Sequence, residues 1–148
     1  MATLKEVINK INEIVSNNPI YNQFGDGNIW EVDGNSDIQY PLVWVDYETI
    51  PHNIADQSIT LNVDIWFVDL VFDDESNELD IKSNTLETAI DFTKYLKENY
   101  NNLDFYVREG TSQALSFSEK WNDKVAGTKL TLPITIKGAG SRCKNIFV

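Results

Sequence analysis

The most regular pattern in the chain lies in "QSITLNVDIWFVDLVF", about residues 57–72. Ile59, Leu61, Val63, Ile65 and Phe67 alternate with Ser58, Thr60, Asn62, Asp64 and Trp66, the period of a strand with one buried face. Beyond Phe67 the apolar residues move to Val68, Leu70 and Phe72. A one-residue slip exchanges the two faces, so a β-bulge is expected near 67–69. At about 3.3 Å per residue the strand would run roughly 50 Å. Part of it is therefore expected to project as a hairpin with "PLVWVDYE", a strand at 42–48 opened by Pro41, across the loop "TIPHNIAD".

Two segments carry the helical period instead. Leu4, Val7, Ile8, Ile11, Ile14 and Val15 form one stripe over about residues 3–16. Thr3 and Glu6 have the spacing of a capping box, and Asn17, Asn18 and Pro19 end the helix. A second helix is predicted over 78–99, capped by Asn77, with an alternative start at Asn84. Its apolar line is read as Leu79, Ser83, Leu86, Ile90, Thr93 and Leu96, flanked by Ala89 and Phe92. The glycine-rich stretch 21–41 reads as turns with a short strand at 28–32. Strands follow near 103–109, 113–121 and 128–137. In the last, Pro133 cannot donate to a ladder and requires a bulge or an open edge.

The order is helix, strands, helix, strands, without repeated strand–helix–strand units. It predicts an α+β fold: a mainly antiparallel twisted sheet, two helices on one face and a long projecting β-hairpin. With 148 residues, one domain is expected, over 1–137, followed by a C-terminal arm over 138–148.

The formal charge of −11 argues against a grip on nucleic acid, which needs clustered Lys and Arg, and against an anionic membrane surface. It suits solubility, or a passage along which a polyanion slides. The N-terminal residues show no signal-peptide pattern, and no apolar run approaches the roughly 20 residues of a membrane span. Cys143 is the only cysteine, so no disulfide forms within the chain.

Candidate chemistry is sparse. "VFDDESNELD" (71–80) holds five carboxylates in ten residues. Counted from Asp73 as a calcium loop, it has Glu78 where the sharp turn needs Gly and Asn84 where the bidentate Glu belongs. Acids before a first helical turn favour the helix dipole, which accounts for them without a metal. His52, the lone histidine, is read as an exposed loop residue, with no G-x-S-x-G motif beside it. Cys143 lies between Arg142 and Lys144, which favour its thiolate, but reads as an ordinary thiol. Asp46, Glu48 and Asp64 can meet across the hairpin as paired carboxylates, or simply point outward. One histidine and one cysteine cannot build a typical zinc site, and no phosphate-binding glycine motif is present. No cofactor or metal is expected, and no enzymatic activity.

The aromatic residues are more informative. Trp44 alternates with Val43 and Val45, and Trp66 occupies a polar position of its strand. If that strand's apolar face is the core face, Trp66 points outward, and outward aromatics mark interfaces unless another segment covers them. Trp44, Tyr47, His52, Trp66 and Phe147 are the expected interface residues. A charge at Trp66 is then expected to impair assembly and leave the monomer folded.

The phrases "YPLVWVDYE", "VDIWFVDLVFDDESNELDI", "SNTLETAIDFTKYL" and "AGTKLTLPITI", in this order with a Cys-containing tail, cover most of residues 3–137. This layout resembles the tail-terminator and neck-ring (head–tail connector) proteins of tailed bacteriophages, including crAss-like phages. The resemblance implies a non-enzymatic virion protein that forms a ring of six or twelve copies against adjacent neck, tail or portal proteins. DNA would pass its lumen without specific binding. The expected location is the virion, and the host cytoplasm during assembly. Charge and size fit a second class equally, a small acidic module such as a toxin-immunity protein. A hydrolase built on His52 and nearby acids is a third reading, supported by no motif.

Overall fold

In a computed structural model, the described residues are 3–35, 37–55, 58–99, 102–108 and 110–136. The fold is α+β. Among these residues two α-helices, α1 (Leu4–Ser16) and α2 (Glu78–Glu98), accompany a seven-stranded sheet. Its strands are β1 (Gln23–Asp26), β2 (Leu42–Asp46), β3 (Asn53–Ala55), β4 (Ser58–Leu70), β5 (Phe105–Val107), β6 (Gln113–Lys120) and β7 (Lys124–Ile136). No described helix is long and apolar enough to cross a membrane.

β4 is the axis of the sheet. β7 pairs antiparallel with it from Ile59↔Ile136 to Leu70↔Val125. On its other flank β2 pairs with 64–68 and β3 with 58–60, both antiparallel. β1 joins β2 in parallel, the one such pair described. β6 and β5 share the far edge of β7, with β6 covering 124–131 and β5 covering 134–136. Pro133 falls in the gap between them, where its missing N–H costs no ladder bond on that side.

The expected bulge near 67–69 is absent, because both ladders keep constant register through Phe67 and Val68. The apolar residues change parity there for a different reason: both sheet faces are covered. Leu61, Val63, Ile65 and Phe67 pack under the helices with Val7, Ile11, Phe92 and Leu96. Val68 faces the opposite side, in a second cluster with Ile29, Val32, Leu42, Trp44, Trp121 and Val125. The sequence 28–32 that reads as a strand is a 3-10 helix, Ile29–Glu31, capped by the Asn28 side chain. Its Ile29 helps to roof this second cluster.

α1 begins with the expected capping box: Thr3 Oγ1 accepts from the Glu6 N–H at 3.3 Å, and Glu6 Oε2 accepts from the Thr3 N–H at 2.7 Å. It buries Val7, Ile8, Ile11 and Val15. α2 is rotated relative to its sequence reading. The buried line is Ile81, Thr85, Ala89, Phe92 and Leu96, and its Thr85 hydroxyl meets that of Thr128 on β7 at 2.9 Å. Leu79 and Ile90 are instead 78% and 56% exposed.

The acidic turn between β4 and α2 is closed by Asn77. Its Oδ1 accepts from the Phe72 N–H at 2.8 Å, and its Nδ2 donates to the Leu70 carbonyl at 3.0 Å. The expected helix-capping bond from this side chain is not formed. Two of the acids find cations of this chain: Glu75 contacts Lys124, and Glu78 pairs with Lys82 at 2.9 Å. Among the described residues no group of three or more His, Cys, Asp or Glu is placed to hold a metal.

Candidate interaction surface

Of the five residues expected at an interface, the structure brings Trp44 and Trp66 together, as directly opposed residues of β2 and β4. They do not form an open aromatic face. Trp44 is buried, its ring lies against Gly25, and its Nε1 donates to the Gly27 carbonyl at 3.1 Å. The 23–32 segment therefore covers it. Trp66 is half-buried, edge-on to Phe117 with ring centroids 4.8 Å apart and 6.4 Å from Trp121. The Lys129 ammonium sits 5.5 Å above its ring, a favourable cation–π position. The expectation of an outward Trp66 was right about the sheet face and missed its cover, because β6 and the β6–β7 turn bring Phe117 and Trp121 onto that face. A distant hairpin of this kind leaves no mark in the β4 sequence.

Tyr47 is half-buried at the end of β2 and packs against the helix-side core. Burial and then the carboxylates Asp26, Glu48, Glu31 and Asp46 push its hydroxyl above the ordinary range. His52 is half-buried, and its Nδ1 accepts from the Asn62 N–H at 3.0 Å. Asn62 in turn donates from Nδ2 to the Pro51 carbonyl at 2.7 Å. The ring thus pins the 51–53 segment to β4 instead of standing free in a loop. Phe147, like Cys143 and the whole 138–148 arm, lies outside the described residues.

The paired carboxylates do meet. Asp46 and Asp64 are directly opposed on β2 and β4 and are nearly fully buried. Asp46 accepts from the N–H of Ile29 at 3.1 Å and of Glu48 at 2.8 Å. It thereby holds the 3-10 helix and the turn after β2. Asp64 accepts from Thr131 Oγ1 at 2.6 Å. Burial raises the Asp64 carboxyl above its ordinary value, partly offset by Thr131 and Lys129, with Asp46 adding to the rise. Asp46 thus supports backbone, while Asp64 is tied to a side chain of β7.

A further exposed surface lies outside the expected residues. β6 pairs with β7 alone among the described strands, so among the described residues its outer edge is unpaired. From Gln113 to Ser118 it reads "QALSFS", with no charge, proline or glycine, and only its last two residues, Glu119 and Lys120, are charged. Proteins usually protect an exposed edge with such residues, and an unprotected one is a template for strand pairing. Beside it Leu115 is 59% exposed, and across the helix layer Leu79, Leu86 and Ile90 line the outer side of α2. A cavity of about 510 Å³ separates α2 from β6, lined by Ala89, Ile90, Ala114 and Leu130, with Lys94 and Lys97 among its polar residues. A signal for this surface was present: α2 carries two apolar lines, and one sheet can bury only one of them.

The chain matches no protein-family model, and no curated protein is significantly similar to it in sequence.

Proposed function

We propose that the chain is a non-enzymatic structural protein of a tailed-phage virion that assembles as a ring in the neck or tail, with DNA passing through the lumen. The observation that carries this reading is the edge of β6, unpaired among the described residues and without charge over Gln113–Ser118, beside the exposed apolar line of α2. β1, with Asp26, ends the sheet on the other side. Joining β6 of one copy to a different edge of the next is a heterologous contact, and such contacts close into rings when the rotation permits. The charge of −11 suits a lumen that DNA must traverse without sticking.

The test is the mass of the purified protein across a concentration range, with negative-stain images of the same fractions. Closed rings of about six or twelve copies are the expected outcome for such cyclic assembly. A strict monomer that binds one basic partner, with strong salt dependence, would instead favour the acidic immunity-type module.

A further inference from the structure

We infer that the hollow between the C-terminal half of α2 and the start of β6 receives the β4–α2 turn, Phe72–Asp74, of a second copy of this chain. The hollow, of about 510 Å³, has Ala89, Ile90, Ala114 and Leu130 in its walls. Lys94 and Lys97 line it as well, in a chain of net charge −11. Glu98 also lines it and meets Lys94 in a loose pair, 4.0 Å apart, with side chains 63% and 70% exposed. A pair so open to water contributes little. Lys97 has no ion-pair partner among the described residues. The Ser112 hydroxyl, in the same wall, finds no hydrogen-bond partner among them either. Apolar walls with uncommitted cations suit an occupant that is both apolar and anionic.

One corner of the described surface has both properties. Phe72 is 61% exposed and is followed directly by Asp73 and Asp74. No other exposed large apolar side chain among the described residues precedes two consecutive acids. Neither acid forms an ion pair among the described residues. The corner is also preformed. The Asn77 side chain accepts from the Phe72 N–H at 2.8 Å, and Asp74 accepts from the Ser76 N–H at 3.1 Å. A ring entering the hollow therefore carries two fixed carboxylates to its lysines, and a lysine can also face the ring.

The occupant comes from another copy because α2 holds its own turn and hollow apart. From Glu78 at the start of the helix to Lys94 and Lys97, the axis covers about 24 and 28 Å at 1.5 Å per residue. The turn before Glu78 is tied down by Asn77 and by the contact of Glu75 with Lys124. A second copy set head to tail brings turn and hollow together. Each copy then offers one of each, a heterologous contact that can propagate around a ring.

Charge exchange tests this with full chains in sedimentation velocity. One variant carries Asp73→Lys with Asp74→Lys, the other Lys94→Glu with Lys97→Glu. In either one alone, like charges meet at the contact, and self-association is expected to weaken at least about tenfold. An equimolar mixture is expected to return to the wild-type range, because every turn then finds a hollow of opposite charge on the other variant. Recovery on mixing also rules out misfolding as the cause of the loss. Unchanged association of the single variants overturns the inference, and so do loss without recovery and a wild type that does not self-associate.

A second comparison needs no charge reversal. Phe72→Ala and Trp30→Ala each remove an aromatic ring of similar exposure, 61% and 59%. Phe72→Ala is expected to weaken association at least about tenfold, as loss of a seated aromatic anchor does, with an unchanged unfolding midpoint. Trp30→Ala is expected to leave association at the wild-type level, and equal effects of the two overturn the inference. The contact deepens the ring reading, on which it rests for its second copy, but is separable from it. Recovery on mixing into open chains without closed rings retires the ring and keeps the contact. Closed rings that persist in both charge variants do the reverse.

Discussion

Asp46 and Asp64 face each other across β2 and β4 as directly paired residues, 2% and 3% exposed. Like charges directly opposed on a sheet destabilise it, and here little water screens them. Burial raises the Asp64 carboxyl above 3.8. Between the unfolded and folded values the native state then binds more protons than the unfolded chain. Its contribution to stability is complete below the ordinary value and is lost as pH rises through the folded one. Asp64→Asn removes this loss and keeps an oxygen for Thr131. Melting followed from pH 3 to pH 7 should show the variant gaining on wild type as pH rises, with a melting temperature at pH 7 higher by roughly a few degrees. An equal difference at all pH values would refute the titration argument.

Trp66 is part of the fold, so a charge there should not leave an intact monomer. Its ring contacts Phe117, Trp121 and Lys129. Trp66→Asp is expected to cost about 3 kcal/mol or more, the range of large core truncations, visible in urea unfolding. The surface variants behave differently. Leu115→Lys and Ile90→Asp alter side chains that are 59% and 56% exposed. They should leave the monomer within about 0.5 kcal/mol of wild type, while sedimentation shows self-association weakened at least tenfold. Unchanged association in both variants would rule out the β6–α2 surface.

The contrast between these residues shows what the sequence could convey. α1 was legible to its capping box, since cap and stripe are local in the chain. The alternation of β4 and the α+β class followed from period and element order. Two of the misreadings, a bulge in β4 and the wrong buried line on α2, share one cause. Val68 is apolar because Leu42 and Val125 from other strands, and Trp121 from the β6–β7 turn, meet it, and Ile90 is exposed because Ala89 and Phe92 take the sheet. Which of two apolar lines is buried is decided by distant partners, and no local period encodes that choice. The same holds for Trp66, whose cover is contributed by residues about fifty positions away.

Gly127 sits where β4 and β7 leave no room for a side chain. A Cβ at this position would run into the Phe67 carbonyl and press on the Phe117 ring. The obstacle on one side is backbone, held by the β4–β7 ladder, and cannot rotate aside. Gly127→Ala should cost about 2–3 kcal/mol, as overpacked cores do, and it should also disturb the β6 edge through Phe117. Loss of Trp fluorescence structure at lower urea concentration than wild type is the measurement. A neutral effect would show that the ladder yields there.

Thr85 and Thr128 form the buried polar link between α2 and the sheet, with hydroxyls 2.9 Å apart. Thr85 also bonds its hydroxyl to the Ile81 carbonyl at 2.7 Å, which leaves Thr128 dependent on it within the helix–sheet layer. Thr85→Val keeps the shape and removes the hydroxyl, so Thr128 is left with a desolvated polar atom, at a cost of about 1–3 kcal/mol. Replacing both, as Thr85→Val with Thr128→Val, removes the unsatisfied group and should recover much of that loss. A double-mutant cycle in urea settles the point: a coupling of about 0.5 kcal/mol or more is expected for groups in direct contact. Simple additivity would mean that the two hydroxyls do not depend on each other, and that α2 is held to the sheet by its apolar face alone.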